Sequence, residues 1–295
     1  MMISRRNFIK LAGYGSIIVM SGLNGRRGWA EEDALIFVQM SDLHWGFKGP
    51  AVNPDPDATT KKAIAAVNSL DIRPDFIVLT GDLTHTTDDD KERRKRMGEI
   101  RDLTAGLEVK TLKFMPGEHD AGLDRGEAFQ EFFGQTHYTF DHKGVHFIVL
   151  DNVSDPTSSI GEDQLQWLAA DLKKQARDAR IIVFTHRPLY DLLPEWDWDT
   201  RDGAKAMELL APFANVNVFY GHIHQEIHHT TGNIAHHSAK GLMYPLPAPR
   251  SLPKKIPLPW DPATPYKGLG WRSVDVKAGK TAYRVNEYSL TGEKL

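Results

Sequence analysis

Glu118, His119 and Asp120 stand consecutively in this chain, behind Met115-Pro116-Gly117 and the apolar run Leu112-Lys113-Phe114. Three ionisable side chains in a row cannot all enter a core, and charges at a strand's end need partners. Alone, the stretch reads equally as a polar turn or as a site. Four further clusters favour the site: Asp42-x-His44, Gly81-Asp82, His186 and Gly221-His222-x-His224. Together they offer imidazole nitrogens and carboxylate oxygens with no thiolate, a ligand set suited to Zn, Mn or ferrous or ferric iron. On an extended segment leaving a strand, Asp42 and His44 would face one side, as would His222 and His224. Gly81, Gly117 and Gly221 precede Asp82, Glu118 and His222, and permit the tight backbone needed where loops converge on an ion.

Each cluster follows an apolar strand. Leu35–Met40 and Phe76–Leu79 read as buried strands, as do Thr111–Met115, Ile181–Phe184 and Val216–Tyr220. Between them, helices are expected over Asp57–Leu70 (capped by Asp57), Asp88–Leu107, Glu127–Phe133, Asp163–Arg180 and Asp202–Leu210. Hairpins are expected at His137–Leu150, turning at Asp141–Gly144, and around Thr231-Gly232-Asn233. The stretch Tyr244–Trp271 carries eight prolines and reads as an ordered wrap, followed by a last hairpin turning at Lys277–Lys280. Helices alternate with strands early and hairpins cluster late. The implied architecture is an α/β sandwich with mixed sheets in one domain, its ligands gathering at the carboxyl ends of strands.

The five motifs in this order resemble the signature of the calcineurin-like metallophosphoesterases: Asp-x-His, Gly-Asp, Gly-Asn-His-Asp/Glu, a lone His, and Gly-His-x-His. The resemblance spans residues 34–240. It implies a four-layer α/β/β/α sandwich with two central mixed β-sheets. It also implies a dinuclear centre in which Asp42, His44 and His224 hold one ion, residue 118, His186 and His222 hold the other, and Asp82 bridges both. His119 would be the catalytic histidine, oriented by Asp120. The physical logic agrees with that assignment. Two cations about 4 Å apart share a water and lower its pKa enough to give hydroxide near neutral pH, which attacks phosphorus in line. His119 then protonates the leaving alkoxide, a contribution of roughly 10²–10⁴ in rate.

Position 118 departs from the family, which has Asn there. Glu118 lacks the amide's donor, is longer by a methylene and adds a negative charge. That strengthens metal binding and repels a phosphate dianion, favouring phosphodiesters or nucleotide-like esters over monoesters. A shifted second ion, or a non-catalytic or redox-linked metal-binding protein, are the other readings. Arg187 is the nearest candidate for gripping phosphate, unless it pairs with an acid of the loop that follows it. His85 could reach the rim or stand behind the site. Tyr190, Trp196 and Trp198, interleaved with Asp191, Glu195, Asp197 and Asp199, read as a lid or substrate rim. His228, His229, His236 and His237 lie on a hairpin whose alternation sends neighbours to opposite faces, and a third metal there is the lesser reading.

The N-terminus bears on where this chemistry happens. Ser4-Arg5-Arg6-Asn7-Phe8-Ile9-Lys10 fits the twin-arginine export pattern, and Gly28-Trp29-Ala30 offers small residues for a signal peptidase. The apolar run Leu11–Leu23 has 13 residues, against roughly 20 needed to span a bilayer. The expectation is cleavage after Ala30 and release into a bacterial periplasm by the twin-arginine translocase, rather than stable membrane insertion or a tethered scaffold. Residues 31–295 would then form one domain. Removing residues 1–30 takes away five basic residues and no acidic one, leaving 31 basic against 39 acidic residues and a formal charge of −8. Such a body disfavours nucleic acid and anionic lipid as partners, and the resemblance implies a small phosphoester as the expected one. The absence of cysteine excludes thiolate nucleophiles, thiolate-held zinc and iron–sulfur clusters. A chain of about 265 residues can bury a core without disulfides.

Overall fold

Strand β1 (Leu35–Met40) is buried at every position, and its alternate residues enter two different cores. In the computed structural model, which describes residues 34–276 and 283–295, β1 lies in a five-stranded sheet. It pairs in parallel with β2 (Phe76–Thr80), which pairs in parallel with β3 (Leu112–Met115). On its other side it pairs antiparallel with β10 (Gly270–Val276), which is joined antiparallel to β11 (Tyr283–Ser289).

The second sheet has six strands, in the order β4 (Tyr138–His142), β5 (Val145–Val149), β6 (Arg180–Phe184), β7 (Asn215–Tyr220), β9 (Ile234–Ser238) and β8 (His228–Thr231). Strands β5, β6, β7 and β9 run parallel, and β4 and β8 close the edges antiparallel.

Phe37, Phe76, Val78 and Val274 from one sheet meet Phe147, Val149, Phe184 and Phe219 from the other in an inter-sheet core. The outer face of the first sheet packs Val38, Met40, Ile77 and Leu79 against helices α1 (Pro56–Asn68) and α2 (Asp90–Thr104). The outer face of the second packs Ile148, Ile181, Val183 and Val218 against α5 (Glu162–Leu172) and α6 (Gly203–Leu210). Short helices α3 (Glu118–Ala121) and α4 (Glu127–Phe133) follow β3. The result is the four-layer sandwich with two mixed sheets.

The element boundaries differ from expectation in instructive places. Asp55, not Asp57, caps α1 by accepting from the Ala58 amide, while Asp57 pairs with Lys61. Helix α5 ends at Leu172 rather than Arg180, because Lys173 to Asp178 contains no large apolar residue to extend the buried face. No helix or strand occurs between Ser238 and Gly270 among the described residues, as the prolines require. Residues 1–33, with the export signal, and the turn 277–282 lie outside the described residues. No described helix is long and apolar enough to cross a membrane.

Candidate metal centre

The tails of β1 and β2 stay hydrogen-bonded after the strands end. The amides of Asp42, His44 and Trp45 donate to the carbonyls of Gly81, Asp82 and Leu83, at 3.1, 2.8 and 3.0 Å. Within these tails the backbone is not extended. Asp42, His44, Asp82, His222 and His224 all hold left-handed φ values, between +42° and +63°. Such conformations cost about 1–3 kcal/mol each for a residue with a Cβ and cluster at functional sites. Asp42 and His44, and likewise His222 and His224, reach a common side through this turning rather than by strand alternation. Gly81 also has a left-handed φ, +90°, and a Cβ there would strike the His186 ring; a Cβ at Gly117 would strike Asp82.

The seven expected ligands form two groups of mutually close donor atoms: Asp42, His44 and His224 in one, Asp82, Glu118, His186 and His222 in the other. Asp82 links them, with Oδ2 3.5 Å from His44 Nε2 and 3.3 Å from His186 Nε2. Three rings are fixed from behind by backbone carbonyls. His186 Nδ1 donates to Thr80 at 2.7 Å, His222 Nε2 to Asp197 at 2.7 Å, and His224 Nδ1 to Tyr244 at 2.6 Å. Each bond places the ring proton outward and turns the other nitrogen's lone pair inward, as metal-ligating histidines require.

The inward atoms fit cations. Glu118 Oε1 lies 2.8 Å from His222 Nδ1 and Glu118 Oε2 3.0 Å from His186 Nε2. Yet Glu118 Oε2, His186 Nε2 and His222 Nδ1 are buried without a hydrogen-bond partner. His44 Nε2 and His224 Nε2 face each other at 3.1 Å. Buried acceptors so arranged are costly unless ions lie between them. Without ions, the imidazoles and carboxylates of the centre offset one another's charge. Burial raises Asp42 and Glu118, but His224 and His186 around the one, and His222 and His186 around the other, hold both carboxyls below their usual range. Burial lowers His186, yet Asp82 and Glu118 hold it well above its ordinary value.

Three further expectations change. His119 is not oriented by Asp120: its Nδ1 accepts from the Thr86 amide at 3.2 Å and lies 2.6 Å from the Thr86 hydroxyl. Since an amide only donates, the neutral ring carries its proton on Nε2, which sits 4.0 Å from Asp82 Oδ2. Asp120 instead accepts from the amides of Leu83, Thr84 and Gly117, pinning together the two loops that present Asp82 and Glu118. Burial and the neighbouring Asp82 push its carboxyl up to about 6.

Arg187 cannot grip a phosphate. It is 1% exposed, bonded to the Asp199 carbonyl at 3.0 Å and the Asp197 carbonyl at 2.6 Å, and ion-paired with the Asp197 carboxylate. It locks the loop whose Asp197 carbonyl orients His222. The aromatic residues of that loop are not a lid: Tyr190, Trp196 and Trp198 are buried with Leu193, Tyr220 and Ile223.

His85 does reach the site. Its ring stacks on His119 with centroids 4.5 Å apart, and its Nδ1 lies 3.3 Å from His44 Nδ1. Burial and His119 lower it to about 4, so it is a neutral partner. Tyr244 and Thr86 carried no signal in the motifs, because a hydroxyl far along the chain or in a loop has no characteristic spacing. A cavity of about 420 Å³ lies under the Pro-rich wrap, with His224, Leu246, Leu258 and Trp260 in its wall.

Residues 35–226 match the sequence profile of the family described as calcineurin-like phosphoesterase. The chain belongs to that family. The zebrafish (Danio rerio) serine/threonine-protein phosphatase CPPED1 is 29% identical over 182 residues, 56% of this chain and 59% of that protein. A Rhodopseudomonas palustris protein named "Probable cyclic nucleotide phosphodiesterase RPA0124" is 24% identical over 234 residues, 70% of this chain and 78% of that protein. This chain thus spans about three fifths of the length of the first curated relatives it matches, 59% and 61%. The solved structure of a dimetal phosphatase from Danio rerio, LOC 393393, shares the fold with a TM-score of 0.59 at 14% identity, covering 86% of this chain and 95% of that one.

Proposed function

We propose that this chain is a metal-dependent phosphoric ester hydrolase with a dinuclear centre, acting on a phosphodiester or nucleotide-like ester. The observation that carries the reading is the pair of ligand groups joined at Asp82, in which Glu118 Oε2, His186 Nε2 and His222 Nδ1 are buried without a hydrogen-bond partner. Asp42, His44 and His224 would hold one ion, Glu118, His186 and His222 the other, and Asp82 both. When bound, such ions supply a nucleophile from water near neutral pH and offset charge on phosphoryl oxygens. Mn, Fe and Zn all suit this donor set.

The chain's own residues do the rest. His119 presents Nε2–H to the leaving oxygen, with its ring held from behind by the Thr86 amide and hydroxyl at Nδ1. Asp120 holds the Asp82 and Glu118 loops in register. Glu118 adds a negative charge where the family has a neutral amide, which disfavours a dianionic monoester. The cavity under the wrap offers room for a second organic arm. The N-terminal pattern supports export through the twin-arginine translocase to the periplasm, and the acidic body supports a small phosphoester rather than nucleic acid as partner.

The test is hydrolysis of bis-p-nitrophenyl phosphate against p-nitrophenyl phosphate with added Mn or Zn. The diester is expected to be the better substrate, and Glu118→Asn to raise monoester turnover relative to it. Two bound metals with no turnover of any ester would instead favour the metal-binding protein. Equal monoester rates in wild type and variant would remove the charge argument. Mature protein starting at Glu31, and loss of export on changing Arg5 and Arg6 to Lys, would support the location; unchanged export would contradict it.

A further inference from the structure

Tyr244 opens the Pro-rich wrap and is buried against the centre. Its carbonyl accepts from His224 Nδ1 at 2.6 Å, and its ring packs on His224 and His44 with centroids 4.5 and 4.7 Å away. Its hydroxyl lies 3.1 Å from His44 Nε2. That nitrogen is the one turned to His224 Nε2 and Asp82. One residue therefore orients one proposed ligand through its backbone and places a phenol O–H at the inner nitrogen of another.

We infer that the Tyr244 hydroxyl is a substrate-binding group, donating to a phosphoryl oxygen of the ester. Without an ion, and with the His44 proton on Nδ1, the O–H has the lone pair of His44 Nε2 as its acceptor. If that lone pair is given to a metal, the hydroxyl loses its acceptor inside a buried site, and a donor there needs a new one. A phosphoryl oxygen brought to the same centre is the acceptor of the right charge, and a bond to a charged oxygen is among the stronger kinds. A phenol keeps its proton at neutral pH, its ordinary pKa being about 10.

The assignment also bears on Glu118. The family's amide at that position carries an N–H donor, and an ionised carboxylate carries none. Arg187 is committed to the Asp197–Asp199 loop. Tyr244 thus supplies a donor that neither residue provides. The inference rests on the dinuclear reading for its metals, but phosphate binding tests it without requiring turnover.

The experiment is Tyr244→Phe in the full chain loaded with Mn. The substitution keeps the ring and the carbonyl that orients His224 and deletes only the hydroxyl. Metal content by elemental analysis is expected to stay at the wild-type value. Inorganic phosphate, titrated calorimetrically, is expected to bind about tenfold more weakly, with kcat/KM for bis-p-nitrophenyl phosphate falling by a similar factor. Unchanged phosphate affinity would overturn the inference. So would loss of metal from the variant, or a visible tyrosinate charge-transfer band in ferric wild type that vanishes in Tyr244→Phe, either of which would make the hydroxyl a metal ligand. If wild type binds phosphate and hydrolyses no ester, the proposed function fails while the calorimetric comparison still decides the role of Tyr244.

Discussion

At the strand ends, His186, His222 and His224 each give one ring nitrogen to a backbone carbonyl and turn the other toward a carboxylate. In the β8–β9 hairpin, four histidines are as densely packed and are used differently. His228 and His237 pair Nδ1 to Nδ1 at 2.7 Å, and the second nitrogen of His237 meets the Tyr283 hydroxyl at 2.7 Å. His229 stacks on Tyr190 at 4.2 Å, with His236 at the same ring's edge.

The carboxylates differ as well. Those at the strand ends face imidazoles, whereas Glu226 beside His228 is paired with Lys240 at 2.8 Å and Glu287 with Arg272 at 2.9 Å. Burial, His228 and Arg272 push His237 down to about 3, and burial with His229 takes His236 to about 4. A cation entering the hairpin would meet an ammonium and a guanidinium. Histidine density therefore does not make a metal site. What matters is where the second ring nitrogen goes and which charge the nearby carboxylates already carry.

Substitutions in the two regions should separate them sharply. Asp82→Ala removes the oxygens common to both ligand groups, so metal content should collapse and turnover fall to background. Retention of both ions would break the contrast. His119→Asn should lower kcat by roughly 10²–10⁴ with metal content intact; a loss of metal instead would make His119 a ligand. Thr86→Val keeps the amide that faces His119 Nδ1 and deletes the hydroxyl, for a drop in kcat of about tenfold, measured with metal content as the control. In the hairpin, His237→Gln should cost about 1 kcal/mol in a denaturant melt through the lost Tyr283 bond, with turnover changing less than about twofold. A large loss of activity there would erase the distinction.

Most of the cradle could be read from the chain because its parts are strand-end motifs whose types and spacing carry their chemistry: Asp42-x-His44, Gly81-Asp82 and Gly221-His222-x-His224. How those motifs turn could not. The left-handed backbone at Asp42 and His44 answers to packing and carbonyl bonds from a neighbouring strand tail, where alternation alone suggested an extended path. Asp120 and Arg187 were drawn toward catalysis by their neighbours in sequence. Asp120 instead binds amides of the Asp82 loop, which local spacing does not encode, whereas Arg187 takes the other reading given for it and pairs with Asp197 of the loop that follows. Tyr190, Trp196 and Trp198 resembled a rim because acids separate them, but the rings fill a core and Asp197 among those acids pairs with buried Arg187. The fold was more legible, since strands buried on both faces and helices with one apolar stripe leave few layerings open.

These strand ends are proposed to hold two ions. Anomalous diffraction from crystals of the metal-loaded protein, recorded at the Mn and Zn edges, tests it directly. Two peaks are expected, one among Asp42, His44 and His224 and one among Glu118, His186 and His222, with Asp82 between them. A single peak, or a peak at Glu226, His228 and Glu287 in place of either, would contradict it.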